Sequence, residues 1–143
     1  MSPDLCCPPS TRRCFWVLTR AMGQRPTGPV LVVEDNTETR EVLVRVLEVR
    51  GYETATATDG LDALTYLRSG GMPSVIILDM RMPVMDGWTF QRARKADPRW
   101  ADIPTIIYSA FPPDDPGDAI GVLRKASTDP EALLSLVAEA CGR

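Results

Sequence analysis

Four short apolar runs in this chain each stop on residues that carry chemistry. Val30-Leu31-Val32-Val33 runs into Glu34-Asp35, and the run from Ser74 to Leu78 stops at Asp79. Ile103 to Tyr108 stops at Ser109, and Ile120 to Leu123 stops at Arg124-Lys125. Such near-continuous Val, Ile and Leu runs read as strands buried on both faces, as in parallel sheets. Ligands of open parallel α/β sheets sit outside the carboxyl ends of the strands. The pattern therefore predicts that three acids, a hydroxyl and an ammonium converge at one edge of one sheet.

Strands predicted over 30–34, 52–58, 74–79, 104–109 and 120–124 alternate with helical periods. A helix over about 37–50 carries Leu43, Val46, Leu47 and Arg50 on one stripe and is closed by Gly51. A second, over 60–69, is led by Asp59 and striped by Ala63, Leu64 and Leu67. A third begins near Trp88 and fades at Asp97-Pro98. The last opens at Thr128-Asp129-Pro130-Glu131, which fits a capping box with a first-turn proline, and its stripe is Leu133, Leu136, Val137, Ala140 and Cys141. Alternating strands and helices imply an α/β fold, here a doubly wound five-stranded parallel sheet with right-handed crossovers. One crossover breaks the pattern. Ala110 to Ala119 holds Pro112, Pro113, Pro116 and Gly117, so the fourth helix is expected to be short or absent.

At 143 residues the length suits one domain. Residues 1–28 carry Arg12, Arg13, Arg20 and Arg25 against Asp4, a net charge of +3, and their prolines and lack of periodicity predict a disordered tail. A start at Met22 would leave only a short lead into the first strand. Residues 29–143 hold 12 basic and 18 acidic side chains, a net charge of −6. That balance argues against a nucleic-acid partner, since such binding rests on clustered Lys and Arg. No run approaches the ~20 apolar residues that span a membrane. Cys14 to Leu18 is shorter than the ~7–15 residues of a signal-peptide core. The chain has no His, which excludes histidine metal sites and His-based triads. Cys6, Cys7, Cys14 and Cys141 show no CxxC spacing and read as free thiols of a cytoplasmic protein.

From Val30 to about Cys141 the chain resembles a receiver domain of a two-component response regulator. The residues that carry the resemblance are Glu34-Asp35, the loop Asp79-x-x-Met82-Pro83-x-Met85-Asp86-Gly87, Ser109-Ala110 and Lys125, in that order at successive strand ends. It implies a flavodoxin-like strand order of 2-1-3-4-5, with Asp79 accepting a phosphoryl group from a histidine kinase or histidine phosphotransfer protein. Packed carboxylates repel unless a cation neutralises them. Mg²⁺ suits a few carboxylates with open positions for water and phosphate oxygens. Glu34, Asp35 and Asp79 are the expected ligands, and the resemblance adds the backbone carbonyl of Arg81. Asp79 is the expected nucleophile, with Lys125 and the Ser109 hydroxyl each holding a phosphoryl oxygen. A lone Asp after a strand commonly just opens a turn, and it is the convergence that gives Asp79 its role. Lys125 is one of only two Lys against 14 Arg, which makes a chance Lys at that strand end less expected. Asp86-Gly87 reads as a turn pair without chemistry.

The chain departs from the family pattern twice. Ala126 follows Lys125 where the family usually has a proline after a cis bond. A cis bond before a non-proline costs ~2.5–4 kcal/mol, so a trans bond or a strained cis one is expected. Val122 stands where the family often has an aromatic residue. With the fourth helix shortened as well, output is expected to work through ordering of the 110–119 loop, whose Asp114, Asp115 and Asp118 phosphorylation would repel. The leading expectation is a stand-alone receiver acting through contact with an unknown output protein, not an enzyme. The alternatives are a degenerate receiver that binds partners without phosphorylation, and an Mg²⁺-dependent phosphatase of haloacid-dehalogenase type. The phosphatase would want a second Asp where this chain has Arg81. A flavodoxin-like cofactor domain would want a phosphate-cradling loop where Glu34-Asp35 stands, and no P-loop is present.

Overall fold

The computed structural model describes residues 28–126 and 129–142. The amino-terminal tail with Cys6, Cys7, Cys14 and the Phe15 to Leu18 run, and Thr128 of the expected capping box, lie outside them. The described elements run β1 (Val30–Val33), α1 (Thr37–Val49), β2 (Thr54–Ala57), α2 (Gly60–Arg68), β3 (Val75–Leu78), α3 (Gly87–Lys95), β4 (Thr105–Ser109), β5 (Gly121–Arg124) and α4 (Pro130–Gly142). All strand pairs are parallel, in the order β2-β1-β3-β4-β5. This is the expected doubly wound sheet.

Alternation along the strands builds two cores. Leu31, Val33, Ile76, Leu78 and Ile107 pack with Ala63, Leu64, Leu67 and Phe90, so α2 and α3 cover one face. Val30, Val32, Val75, Ile77 and Ile106 pack with Leu43, Leu47, Leu133 and Val137, so α1 and α4 cover the other. Each strand residue thus alternates faces, and the central strands need apolar side chains at every position.

Local signals set the boundaries. Asn36 caps α1 through Thr39 N–H at 2.8 Å, and Asp59 caps α2 through Asp62 N–H at 2.8 Å. Gly51, at φ 88°, closes α1: its N–H reaches Glu48 O at 2.9 Å while Tyr52 N–H reaches Leu47 O at 3.1 Å. β2 begins at Thr54, two residues beyond this closure. Arg50 is corrected as a stripe residue. It is the exposed C-cap of α1, and its guanidinium pairs with Glu131 on α4. At α4 it is Asp129 whose carboxylate accepts the Glu131 N–H, at 3.2 Å.

Residues 110–120 form no helix, only bends and a turn. With no crossover helix over it, β5 is half exposed: Ile120 is 42% and Val122 36% accessible. The loop is nevertheless anchored from α3. Arg94 is fully buried, and its guanidinium donates to the carbonyls of Trp100, Ala101 and Ile103 at 3.0, 2.9 and 3.1 Å and to Asp118 Oδ1 at 3.3 Å. Burial pulls its pKa below the usual arginine value, and the Asp118 charge opposes that pull. Asp118 therefore differs from the expectation of an acid waiting to be repelled. It is already paired with Arg94, with Lys95 Nζ 3.9 Å away.

Candidate functional site

Strand register places the chemistry. β1, β3, β4 and β5 end together, and the residue after β1, β3 and β5 is held by one more ladder bond. Glu34 N–H donates to Ala57 O, Asp79 N–H to Val33 O and Lys125 N–H to Ser109 O, all at 3.0 Å. Glu34, Asp79 and Ser109 are buried. Asp35 lies exposed at the rim, yet one carboxylate oxygen from each of Glu34, Asp35 and Asp79 falls within 4.8 Å of the others. The expected convergence of acids is real.

Lys125 reaches the acids. Its Nζ lies 2.6 Å from Glu34 Oε1 and 3.3 Å from Asp79 Oδ2. The first contact is a close ion pair, and the ammonium is what partners the buried Glu34 Oε1. The other Glu34 oxygen accepts the Asn36 N–H at 3.2 Å. Burial pushes the Glu34 carboxyl above its usual range, the Asp79 charge adds to this, and Lys125 works against it. Burial alone would lower the Lys125 ammonium, but its pairing with Glu34 and Asp79 outweighs burial and holds it above the ordinary value. Among the described residues no peptide bond is cis, so Lys125-Ala126 is trans. The ammonium reaches both acids without the family's proline.

Ser109 is buried at the end of β4, and its Oγ accepts the Phe111 N–H at 3.3 Å. Asp79 Oδ1 faces the Arg81 N–H at 3.5 Å, the long limit of a hydrogen bond. The Arg81 guanidinium carbon sits 4.9 Å from the centroid of the Phe111 ring, joining the loop after β3 to the loop after β4. Sequence reasoning used Arg81 for its carbonyl and as a departure from the phosphatase pattern, and missed this contact. It also missed Arg94, whose one signal was its place four residues after Phe90 on the buried stripe of α3. Asp86 and Gly87, expected as a turn pair, instead open α3. Asp86 Oδ1 caps α3 through Thr89 N–H at 2.9 Å, and a Cβ on Gly87 would lie 2.7 Å from Asp79 O.

The donor set fits Mg²⁺. It consists of hard carboxylate oxygens, with Glu34 and Asp79 buried and Asp35 at the rim. Glu34, Asp35 and Asp79 would hold the ion, which would supply positive charge for phosphoryl oxygens at the strand ends.

A buried acid at the carboxyl end of β3, flanked by two more acids and a lysine from β5, defines the receiver class. The family model for the response regulator receiver domain matches residues 30–129, and the chain belongs to that family. The response regulator PleD of Caulobacter vibrioides is 37% identical over 100 residues, covering 70% of this chain and 21% of PleD. The transcriptional regulatory protein PrrA of Mycobacterium tuberculosis is 37% identical over 117 residues, covering 78% of this chain and 48% of PrrA. The chain thus spans less than half the length of these curated relatives. Among solved structures, the chemotaxis protein CheY4 of Vibrio cholerae is 30% identical with a TM-score of 0.70, covering 80% of this chain and 98% of that one. The response regulator protein TrrA of Thermotoga maritima, in complex with Mg(2+)-BeF, is 28% identical with a TM-score of 0.70, covering 79% and 98%.

Proposed function

We propose that Asp79 accepts a phosphoryl group, with Mg²⁺ held by Glu34, Asp35, Asp79 and the Arg81 carbonyl. The observation that carries this reading is the Lys125 ammonium lying between two buried carboxylates, 2.6 Å from Glu34 and 3.3 Å from Asp79. Membership of the receiver family implies a histidine kinase or a histidine phosphotransfer protein as donor, and with no histidine in residues 1–143 the phosphohistidine would lie outside them. An Asp79 carboxylate oxygen attacks phosphorus, an acyl phosphate forms, and the phosphorus–nitrogen bond to the donor imidazole breaks. The imidazole leaves with the bonding pair and takes up a proton. Lys125 and the Ser109 hydroxyl bind the transferred oxygens and orient them.

The bound phosphoryl is later lost to water, so no external substrate is turned over. Output goes through contact with a protein. The acidic balance of residues 29–143 offers a nucleic-acid backbone little attraction. No helix among the described residues is long and apolar enough to cross a membrane. We read the domain as cytoplasmic, the side on which such a donor would present its phosphohistidine. The Arg81 side chain, engaged with the Phe111 ring, fits this reading better than a phosphatase that wants a second acid there.

Intact mass after incubation with Mg²⁺ and a small phosphodonor tests the proposal. One added phosphoryl group is expected in the wild type, none in Asp79→Asn and none after Mg²⁺ is chelated. The helix-free crossover favours a second reading, a partner-binding domain that works without phosphorylation. Failure of both phosphorylation and Mg²⁺ binding would select it.

A further inference from the structure

The segment from Ala110 to Ile120 is a strap tied at both ends. At its far end Asp118 is held by Arg94, and Ile120 N–H by Thr105 O at 2.9 Å. At its near end Phe111 is held by two contacts. Its N–H donates to Ser109 Oγ at 3.3 Å, and its ring lies against Arg81 at 4.9 Å. The ring is otherwise open to water, with Phe111 61% exposed. Both partners of Phe111 therefore flank Asp79. Ser109 ends the neighbouring strand, and Arg81 sends its own N–H toward Asp79 Oδ1.

We propose that Arg81 and Phe111 form a latch that phosphorylation opens, with the Arg81 guanidinium leaving the ring to become a further ligand of the phosphoryl oxygens. This rests on the reading of Asp79 as phosphoacceptor. A phosphoryl group adds about −1.5 to −2 charge and strong acceptors at the point Arg81 and Ser109 flank. A charge-assisted hydrogen bond to such oxygens is stronger than a cation–π contact at an exposed ring. Turning the Ser109 hydroxyl toward the same group takes Oγ from the Phe111 N–H, a bond already long at 3.3 Å. The two ties on Phe111 are lost together, while the Arg94–Asp118 tie, made from α3, stays. The strap then swings free at its site end only.

The test is NMR on the full chain, labelled with nitrogen-15 and with fluorophenylalanine, before and after Mg²⁺ and beryllofluoride. Expected are at least tenfold faster exchange of the Phe111 amide, a shift of the Phe111 ring fluorine and of the Arg81 Nε–H, and unchanged exchange at Asp118 and Ile120. In Arg81→Gln the Phe111 ring fluorine should already sit near its released position, so that the probe shifts it much less. Ser109 and Lys125 resonances that respond to the probe while Phe111 stays unchanged would overturn the latch and leave the phosphoacceptor reading standing. No response at Ser109, Lys125 or Asp79 would overturn both.

Discussion

Arg94 holds Asp118 across 24 residues of sequence, from a guanidinium with no exposed surface, at 3.3 Å. The pair joins α3 to the strap before β5 and does part of what a packed crossover helix would do. Arg94→Leu takes a donor from three backbone carbonyls; Trp100 O keeps the Ile103 N–H at 3.1 Å and Ile103 O the Thr105 hydroxyl at 3.4 Å, so the expected cost is about 2 kcal/mol. Asp118→Asn should cost only about 1 kcal/mol, because the carboxylate is 42% exposed and solvent screens it. Urea unfolding of both variants checks the order. A larger loss for Asp118→Asn would mean that charge pairing, not carbonyl bonding, retains Arg94.

Lys125 neutralises the buried acids when no metal does. Lys125→Met should therefore destabilise the Mg²⁺-free protein by about 2 kcal/mol, since it leaves buried carboxylates unpaired. Mg²⁺ should recover most of that loss, giving the variant a larger thermal shift with Mg²⁺ than the wild type. Equal shifts in the two proteins would show that ammonium and metal do not share this task.

Much of this was legible in the sequence because strand ends are. An apolar run that stops on a carboxylate fixes where the carboxylate must lie once the sheet is parallel, and Glu34, Asp79, Ser109 and Lys125 all followed from that rule. The prolines of 110–119 likewise announced the missing helix. What stayed hidden was pairing between segments far apart. Nothing near Arg94 marks its carbonyl partners, because main-chain acceptors have no sequence signature. Asp118 looked like one more loop acid for the same reason. The Arg81–Phe111 contact depends on how two loops lean together, which periodicity does not encode. The start of β2 at Thr54 follows from where the closure of α1 releases the chain, which only the helix geometry decides.

Val84 adopts φ 70°, and the Met85 N–H reaches back to Pro83 O at 2.7 Å. A β-branched side chain in this tight turn is strained, by about 1–3 kcal/mol for such outliers. Val84 is also 77% exposed, so its side chain gains little from packing. Val84→Gly should raise stability by about 1 kcal/mol after the extra chain entropy of glycine is counted. Chemical denaturation would read this directly, and a loss of stability would remove the claim of strain.

Gly87 begins α3 directly behind the loop that follows Asp79. A Cβ there would lie 2.7 Å from Asp79 O and from Met80 Sδ, and 2.8 Å from Met80 Cα. Gly87→Ala should cost about 1–3 kcal/mol through overpacking and push the Asp79 backbone outward. The expected signature is a lower melting temperature together with weaker Mg²⁺ binding. Normal Mg²⁺ affinity in a destabilised variant would show that the helix yields instead of Asp79.

The lysine that balances two buried acids hangs from β5, which among the described residues is a border strand with a single neighbour and no crossover helix leading into it. Fraying begins at such borders, where few contacts protect the backbone bonds. Each opening of β5 would carry the ammonium away and leave Glu34 and Asp79 facing each other without a counterion. The electrical state of the pocket is thereby tied to the breathing of the sheet's margin. A ligand that fixes either one steadies the other.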